Sequence, residues 1–306
     1  MKIYFAPLEG LTDSIYRKLH RKYFPGVDKY FTPFFSPTVH RSLTPKEARE
    51  LPYADELDAI VVPQILTKSP QDFLWFTGVC KERGYGEVNL NLGCPSGTVF
   101  SKGKGAGMLR EIDALDRFLE EIFTGTSLPI SVKTRLGVES AEEFPALLEI
   151  FNRYPICELV LHSRVRSQFY KGSPNMEAFR YCLDNAKAPV CYNGDLFSLS
   201  DIERFSAQFP ACKTVMLGRG LIANPGMISG CTDKETLRAF HDALLSAYAA
   251  AFGSERNALF RMKENWFYLL PTFENSEKLS KKLRKCTDMA QYRAITREIF
   301  DTLPRV

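Results

Sequence analysis

The chain has 306 residues and a mass of 34.8 kDa, which is long enough for one large α/β domain and a small second domain. Apolar residues form 45% of the sequence and charged residues 25%, so a folded protein is expected and bulk disorder is excluded. The net charge is +4, and residues 234–306 alone carry 13 Lys and Arg against 9 Asp and Glu, so the whole excess lies in the last quarter.

Targeting and redox signals are weak throughout the sequence. Pro7, Glu9 and Asp13 interrupt the short apolar stretch after Lys2, so we expect no signal peptide. No stretch approaches the roughly 18 apolar residues of a membrane span. The eight cysteines include no Cys-x-x-Cys pair, so we expect no metal site and no redox dithiol, and a reducing cytoplasm as the location.

Short runs rich in β-branched and aromatic residues predict eight β-strands in the first two-thirds of the chain. Most of these runs are almost continuously apolar, which is typical of parallel strands that are buried on both faces. In chain order the predicted strands are Ile3–Ala6, Lys29–Thr32, Ala59–Gln64, Glu87–Asn91, Ile130–Thr134, Leu159–His162, Val190–Asn193 and Thr214–Leu217.

Segments with helical periodicity alternate with these strands, whereas residues 33–51 show no clear periodicity. The predicted helices are Ser14–Tyr23, Gln71–Arg83, Ile112–Phe123, Ala141–Arg153 and Met176–Asn185. Eight strands that alternate with helices predict an α/β fold, the (β/α)8 TIM barrel.

After Pro225 the pattern contains only helices. These are predicted at Leu237–Ala251, Ala258–Leu270, Ser276–Cys286 and Met289–Thr302. We therefore predict a catalytic barrel domain at residues 1–232 and a small all-helical domain at residues 233–306. Its excess of basic residues indicates either a solvated helical surface or a face that meets a polyanion such as RNA.

Polar and glycine residues cluster at the ends of six predicted strands, where TIM-barrel enzymes place their chemistry. These clusters are Gln64, Asn91–Pro95, Lys133–Arg135, His162–Arg164, Asn193–Asp195 and Gly218–Gly220. A buried Lys or His without a partner is costly, so packing alone explains such a series poorly.

The loops after the last two strands suit a phosphate group. In barrels these loops bind phosphate through backbone N–H groups, and Arg219 adds a positive charge, although a Gly-Arg-Gly sequence is also an ordinary turn.

Two other strand-end residues suit a flavin ring. Lys133 could stabilise the negative charge of a reduced flavin and Gln64 could hydrogen-bond the ring edge. The alternative for Lys133 is an ion pair inside the barrel mouth.

The loop after the fourth strand presents a thiol. Gly93 and Pro95 end the strand and expose Cys94. A thiol with the ordinary pKa of cysteine is mostly protonated at neutral pH, so Cys94 could act as an acid. Nucleophile, metal ligand and structural cysteine are the other roles open to it.

The loop after the sixth strand is basic and aromatic. Its residues Arg164, Arg166, Gln168 and Tyr170 suit contact with a base ring and phosphates, or an ordinary protein surface.

These motifs, in this order, resemble the dihydrouridine synthase family. The resemblance spans residues 6–225 and rests on Ala6–Asp13, Gln64, Asn91–Pro95, Lys102, Gly105–Gly107, Lys133, Arg135, His162, Arg164, Gln168, Asn193–Asp195, Met216–Gly220 and Asn224–Pro225. The chain departs from the family where Asn89 replaces the usual Asp, where Leu8 replaces the usual Met, and at Ser173–Asn175.

The resemblance implies a flavoprotein that uses FMN, reduced by NADPH or NADH, to convert uridine in RNA to 5,6-dihydrouridine. Hydride would pass to carbon 6 of the uracil and Cys94 would donate a proton to carbon 5. The implied cofactor-binding residues are Ala6, Pro7, Leu8, Gln64, Lys133, His162, Asn193, Gly194, Asp195, Gly218 and Arg219. The implied substrate-binding residues are Asn91, Arg135, Arg164, Arg166 and Gln168.

The family's usual partner is tRNA, with ribosomal RNA as the alternative, and we expect a monomer that binds neither DNA nor membranes. Lys278, Lys281, Lys282 and Lys285 share one face of a predicted helix and would contact phosphates of the RNA. Two other functions remain open. A flavin barrel that reduces or oxidises a small molecule, such as a pyrimidine, would not need this basic face. An inactive barrel that only binds RNA would carry no flavin.

Overall fold

The computed structural model describes residues 1–305. The chain forms two compact units, and each is described by itself. The barrel unit contains residues 1–7, 28–195 and 203–217. The helical unit contains residues 8–27, residues 196–202 and the chain from Gly218 onward.

The barrel unit holds one parallel sheet that confirms all eight predicted strands. Its strands are β1 (Lys2–Phe5), β2 (Lys29–Phe31), β3 (Val61–Val62), β4 (Gln64–Ile65), β5 (Val88–Leu92), β6 (Ile130–Arg135), β7 (Glu158–His162), β8 (Val190–Asn193) and β9 (Thr214–Leu217). Their order is β3-β2-β1-β9-β8-β7-β6-β5-β4. The two ends of this order, β3 and β4, are halves of one predicted strand that Pro63 interrupts, so the sheet closes into a barrel.

The predicted helices of the first two-thirds are also present, with ends shifted by a few residues. The helices are α1 (Ser14–Tyr23), α2 (Pro45–Glu50), α3 (Pro70–Glu82), α4 (Gly97–Ser101), α5 (Ile112–Gly125), α6 (Phe144–Phe151), α7 (Met176–Asn185) and α8 (Leu199–Gln208). Helices α2, α4 and α8 lie outside the predicted ranges. Helix α2 is short and has no buried residue, so periodicity could not show it, although Thr44 and Glu47 form a capping box.

The barrel interior combines an apolar cluster with a polar end. The cluster consists of Tyr4, Ala6, Phe31, Val62, Val160, Cys191 and Met216. At the end where the strands begin, Lys29 of β2 pairs with Glu87 at 2.8 Å and with Glu158 at 3.5 Å. The Tyr4 hydroxyl donates to Glu158 at 3.0 Å, so an ion-paired and hydrogen-bonded group of side chains closes that end.

The helical unit contains α1 and five further helices. These are α9 (Arg219–Ala223), α10 (Lys234–Phe252), α11 (Glu255–Leu269), α12 (Glu277–Lys285) and α13 (Met289–Thr302). The four helices predicted after residue 232 are confirmed. Helix α1 joins them because Phe240 packs edge-on against Tyr16 and Phe24, with ring centroids 5.5 Å and 5.1 Å apart.

Short 3-10 turns complete the described chain. They lie at Ala54–Glu56, Gly105–Arg110, Ala141–Glu143, Arg166–Gln168 and Leu270–Thr272. Of the helices formed by residues 1–305, none is long and apolar enough to cross a membrane.

Candidate active site

A chain of side-chain amides runs across the barrel interior from β4 to β6. Asn91 donates to Gln64 at 2.8 Å, Gln64 donates to Asn89 at 2.7 Å, and Asn89 donates to Ser131 at 2.8 Å. All four residues are buried. An amide can both donate and accept, so Asn89 accepts from Gln64 and donates to Ser131. It fills this place in the hydrogen-bonded chain without the negative charge of the Asp that the family usually carries.

Asn91 also fixes the loop that carries Cys94. Its side-chain oxygen accepts the backbone N–H of Cys94 at 2.9 Å and that of Gly93 at 3.1 Å. A Cβ at Gly105 would lie 2.9 Å from the Cβ of Cys94, so the loop behind the cysteine needs a glycine there, and the φ of +57° at Gly105 favours glycine too. Cys94 itself is partly exposed and forms no disulfide.

Arg135, at the end of β6, joins the Cys94 loop to the loop after β7. Its Nε donates to the Gly93 carbonyl at 2.9 Å, and its Nη1 donates to the Val165 and Phe169 carbonyls at 3.1 Å and 2.9 Å. Only 2% of Arg135 is exposed. The structure thus shows this predicted substrate-binding residue as a brace between two loops of the barrel mouth.

Lys133 lies two residues before Arg135 on β6 and has no partner among the residues that the structure describes. It is half-buried on β6, next to Asn91 of β5 in the sheet register. Among residues 1–305 none forms a hydrogen bond or ion pair with its amine, so the internal ion pair considered above is absent there. Burial, and then the charge of Arg135, lower the pKa of Lys133 to about 8. An unpaired cation is therefore held at the barrel mouth, where a negatively charged ligand would stabilise it.

Arg164, after β7, is fully buried and uses all of its donors within the protein. Its Nη1 donates to Asp195 Oδ1 at 3.0 Å and its Nη2 to Asp195 Oδ2. The remaining N–H groups reach the Lys171 and Gly172 carbonyls and His162 Nε2, the last at 3.4 Å. A direct contact of Arg164 with a uracil would require it to give up one of these bonds.

His162 has neighbours on the loop after β7. Its Nε2 is the ring atom that faces the Arg164 guanidinium. The ring of Tyr170 lies 5.9 Å from that of His162. Asp195, predicted to bind the cofactor, is the carboxylate that balances the charge of Arg164.

In the loop after β8, the backbone of Gly194 lies close to the side chain of Tyr192. A Cβ at Gly194 would lie 2.0 Å from the Tyr192 hydroxyl, so only glycine fits. The Asn193 side chain donates to the Met216 carbonyl at 2.8 Å and holds the neighbouring strand β9. The N–H of Gly194 donates to none of the described residues and is open to an acceptor.

Three other predicted residues belong to the β7 loop or to the end of β1. Gln168 accepts the N–H of Val165 at 2.9 Å through its side-chain oxygen and so caps the short turn Arg166–Gln168. Ala6 is buried in the apolar cluster of the barrel, and Pro7 follows it, partly exposed.

In the helical unit, the predicted phosphate loop after β9 begins α9. A Cβ at Gly220 would lie 2.3 Å from the Leu196 carbonyl, so this turn also requires a glycine. The guanidinium of Arg219 lies 5.3 Å from the Phe197 ring. Leu8 begins the turn before α1, where its N–H donates to the Thr12 hydroxyl at 2.8 Å.

Helix α12 carries the predicted basic face. Leu279 and Leu283 are buried, which leaves the basic side chains on the outside. The exposed basic residues are Lys278, Lys281, Lys282, Arg284 and Lys285. Lys282 forms an ion pair with Glu298 at 3.7 Å, and this exposed contact contributes little to stability.

Sequence reasoning missed several residues that contribute to the site. Ser131 ends the amide chain, and Phe100, Arg110 and Phe169 lie beside the Cys94 and β7 loops. None belongs to a recognisable motif. Their roles depend on contacts between distant parts of the chain, and a single sequence carries no signal for such contacts.

Comparison with known proteins identifies relatives along almost the whole chain. The family model described as dihydrouridine synthase matches residues 4–303. The tRNA-dihydrouridine(16) synthase of Pseudomonas putida is 28% identical over 308 residues, covering 95% of each chain. The probable tRNA-dihydrouridine synthase 1 of Synechocystis is 27% identical over 230 residues, covering 73% of this chain and 62% of that protein.

A solved structure supports the fold. Morphinone reductase in complex with tetrahydroNAD superposes with a TM-score of 0.53 at 8% identity, covering 74% of this chain and 85% of that chain. At this identity the likeness shows the barrel fold alone, and the TIM-barrel prediction is confirmed. Because the family model covers residues 4–303, the chain belongs to the dihydrouridine synthase family.

Proposed function

We propose that this protein reduces uridine in tRNA to 5,6-dihydrouridine, with FMN as cofactor and NADPH or NADH as reductant. Family membership and relatives named as tRNA-dihydrouridine synthases support the reaction. One observation carries the proposal. Lys133, which has no partner among the described residues, and the Cys94 thiol, on a loop held by Asn91 and Arg135, both lie at the same end of the barrel.

The residues of the barrel mouth fit a flavin. Within residues 1–305, the Lys133 amine has no protein partner and the N–H of Gly194 has no acceptor. A Cβ at Gly194 would lie 2.0 Å from the Tyr192 hydroxyl, so a larger residue does not fit this loop. Gln64 and His162 would contact the ring, and Asn193 and Gly194 the phosphate. Further cofactor contacts are proposed for Ala6, Pro7, Leu8, Asp195, Gly218 and Arg219.

When bound, FMN would supply a hydride for carbon 6 of the uracil. Cys94 donates the proton to carbon 5, so the double bond gains one hydride and one proton. Asn91 holds the Cys94 backbone through its side-chain oxygen, and Arg135 holds the Gly93 carbonyl. The loop therefore cannot swing freely, which keeps the thiol at one place in the mouth.

Asn91 can also contact the substrate. One of its two amide hydrogens is given to Gln64, and the other is available to a uracil carbonyl. Arg135, Arg164, Arg166 and Gln168 belong to the loops around it, and we propose that they shape the binding site for the nucleotide. Residues 233–306 are proposed as the RNA-binding domain, with the exposed lysines of α12 on tRNA phosphates.

The first test is the visible spectrum of the purified protein and identification of the released chromophore. We expect flavin bands near about 370 and 450 nm from FMN. The loaded protein should then form dihydrouridine in unmodified tRNA transcripts when NADPH or NADH is added. A protein that neither contains nor takes up FMN would refute the proposal, and activity on ribosomal RNA alone would change its substrate.

A further inference from the structure

Four side chains of the barrel unit form a row of alternating rings and guanidinium groups. The guanidinium of Arg166 lies 5.4 Å from the Phe169 ring and 4.0 Å from the Phe100 ring. The guanidinium of Arg110 lies 4.4 Å from the same Phe100 ring. Residues Phe169, Arg166, Phe100 and Arg110 are called the cation–aromatic row.

Phe169 occupies a backbone conformation that disfavours its residue type. Its φ of 52° and ψ of −97° lie in a region that glycine adopts far more readily than a residue with a side chain. The Phe169 N–H donates to the Arg166 carbonyl at 3.1 Å, and Arg135 donates to the Phe169 carbonyl at 2.9 Å. The surrounding structure therefore holds the strained residue in place.

Burial of the Phe169 ring offsets little of this strain, because 42% of Phe169 is exposed. A strained backbone that presents an exposed aromatic ring is a combination found at binding sites. The brace also locates the ring. Arg135, which holds the Phe169 carbonyl, also holds the Gly93 carbonyl, next to Cys94.

The charge of the row favours an anionic partner. Within residues 1–305, no carboxylate forms an ion pair with Arg166 or Arg110. The Arg166 Nε is buried and has no hydrogen-bond partner there. Aromatic rings next to guanidinium groups that lack a carboxylate suit single-stranded nucleic acid, because bases stack on the rings while the cations attract phosphates.

We propose that the cation–aromatic row binds unpaired nucleotides next to the target uridine, with Phe169 as a stacking platform for one base. This inference rests on the proposed function. A uridine that enters the barrel mouth must leave its stack, which exposes the faces of its neighbours. The row lies beside the Cys94 loop, where such neighbours would arrive, and Arg166 and Arg110 would contact their phosphates.

The test compares Phe169→Leu, Phe169→Gly and Phe169→Tyr in the flavin-loaded full chain. Dissociation constants are measured with unmodified tRNA transcripts, together with KM and kcat for dihydrouridine formation. Leucine keeps the apolar bulk without a π face, glycine also relieves the backbone strain, and tyrosine keeps the ring. We expect Phe169→Leu and Phe169→Gly to bind tRNA about 10-fold more weakly and Phe169→Tyr to bind like the wild type.

Two readouts separate stacking from a structural role. The Tm of Phe169→Gly should equal or exceed that of the wild type, and NADPH oxidation by the bound flavin without RNA should not change. Wild-type tRNA affinity in Phe169→Leu would overturn the inference while leaving the proposed function intact. A wild-type protein that forms no dihydrouridine in any RNA would instead overturn the proposed function.

Discussion

The side-chain oxygen of Asn91 accepts the N–H of Cys94 at 2.9 Å, and the side-chain nitrogen of Asn91 donates to Gln64 at 2.8 Å. One amide thus connects the thiol loop with the amide chain of the barrel interior. Asn91 has a positioning role for Cys94 besides its proposed contact with the substrate.

Asn91→Ala should slow dihydrouridine formation by about 100-fold, because the Cys94 loop loses the acceptor that holds it. Asn91→Asp keeps an oxygen acceptor and should retain more activity than Asn91→Ala. The alkylation rate of Cys94 by iodoacetamide checks the cause, since a loosened loop changes it. Equal alkylation rates and equal kcat in all three proteins would contradict the positioning role.

Cys94→Ala should lower the rate of dihydrouridine formation by about 10²- to 10⁴-fold, because the proposed proton donor is removed. Reduction of the bound flavin by NADPH or NADH should continue at its ordinary rate. Cys157→Ala is the matched control, since Cys157 is exposed and lies before β7, at the opposite end of that strand from the mouth. A fully active Cys94→Ala enzyme would remove Cys94 from the mechanism.

Lys133→Met should bind FMN more weakly but make the flavin-free protein more stable at pH 7, by about 3 kcal/mol. The pKa of Lys133 is about 8 in the folded protein, below the value of about 10.4 for an unfolded lysine. Between these pH values the unfolded chain binds more protons, so the wild type gains stability as pH rises.

The stability difference between Lys133→Met and the wild type should therefore shrink as pH rises from about 8 to about 10, in urea denaturation of the flavin-free proteins. A constant difference across this range would show that Lys133 titrates normally in the folded state.

His20 should make the protein sensitive to acid. Burial lowers the pKa of His20 to about 3, and its Nε2 donates to the Pro225 carbonyl at 3.1 Å. Below about pH 6.5 the unfolded chain gains a proton that folded His20 resists, so stability falls as pH falls. Between about pH 7 and pH 5 the wild type should lose about 2 kcal/mol more than His20→Gln. Parallel losses in denaturant titrations of both proteins would contradict this assignment.

Replacing Lys278, Lys281 and Lys285 with Gln should weaken tRNA binding and make it less dependent on salt. Each lost phosphate contact lowers the slope of log Kd against log salt by roughly 0.7 to 0.9. The control replaces Lys2, Lys187 and Lys213, which are exposed and lie at or before the starts of β1, β8 and β9. An equal change of slope in both triple variants would show that α12 has no special role.

The sequence alone determined the positions of the strands and most helices, because apolar periodicity reflects which side chains each element buries. It also placed Gln64, Asn91, Lys133 and His162 at strand ends, since parallel strands direct those ends to one rim of the barrel. The short helix α2 escaped prediction because it buries no residue.

Only the tertiary structure decided how these side chains are paired. Arg164 donates its hydrogen bonds to Asp195 and to nearby carbonyls. Arg135 connects two loops through hydrogen bonds to their carbonyls. Phe100 meets Arg166 although 66 positions separate them, and Phe169 holds a φ that its residue type disfavours. Such contacts depend on which distant segments of the chain pack together, and local residue patterns do not predict them.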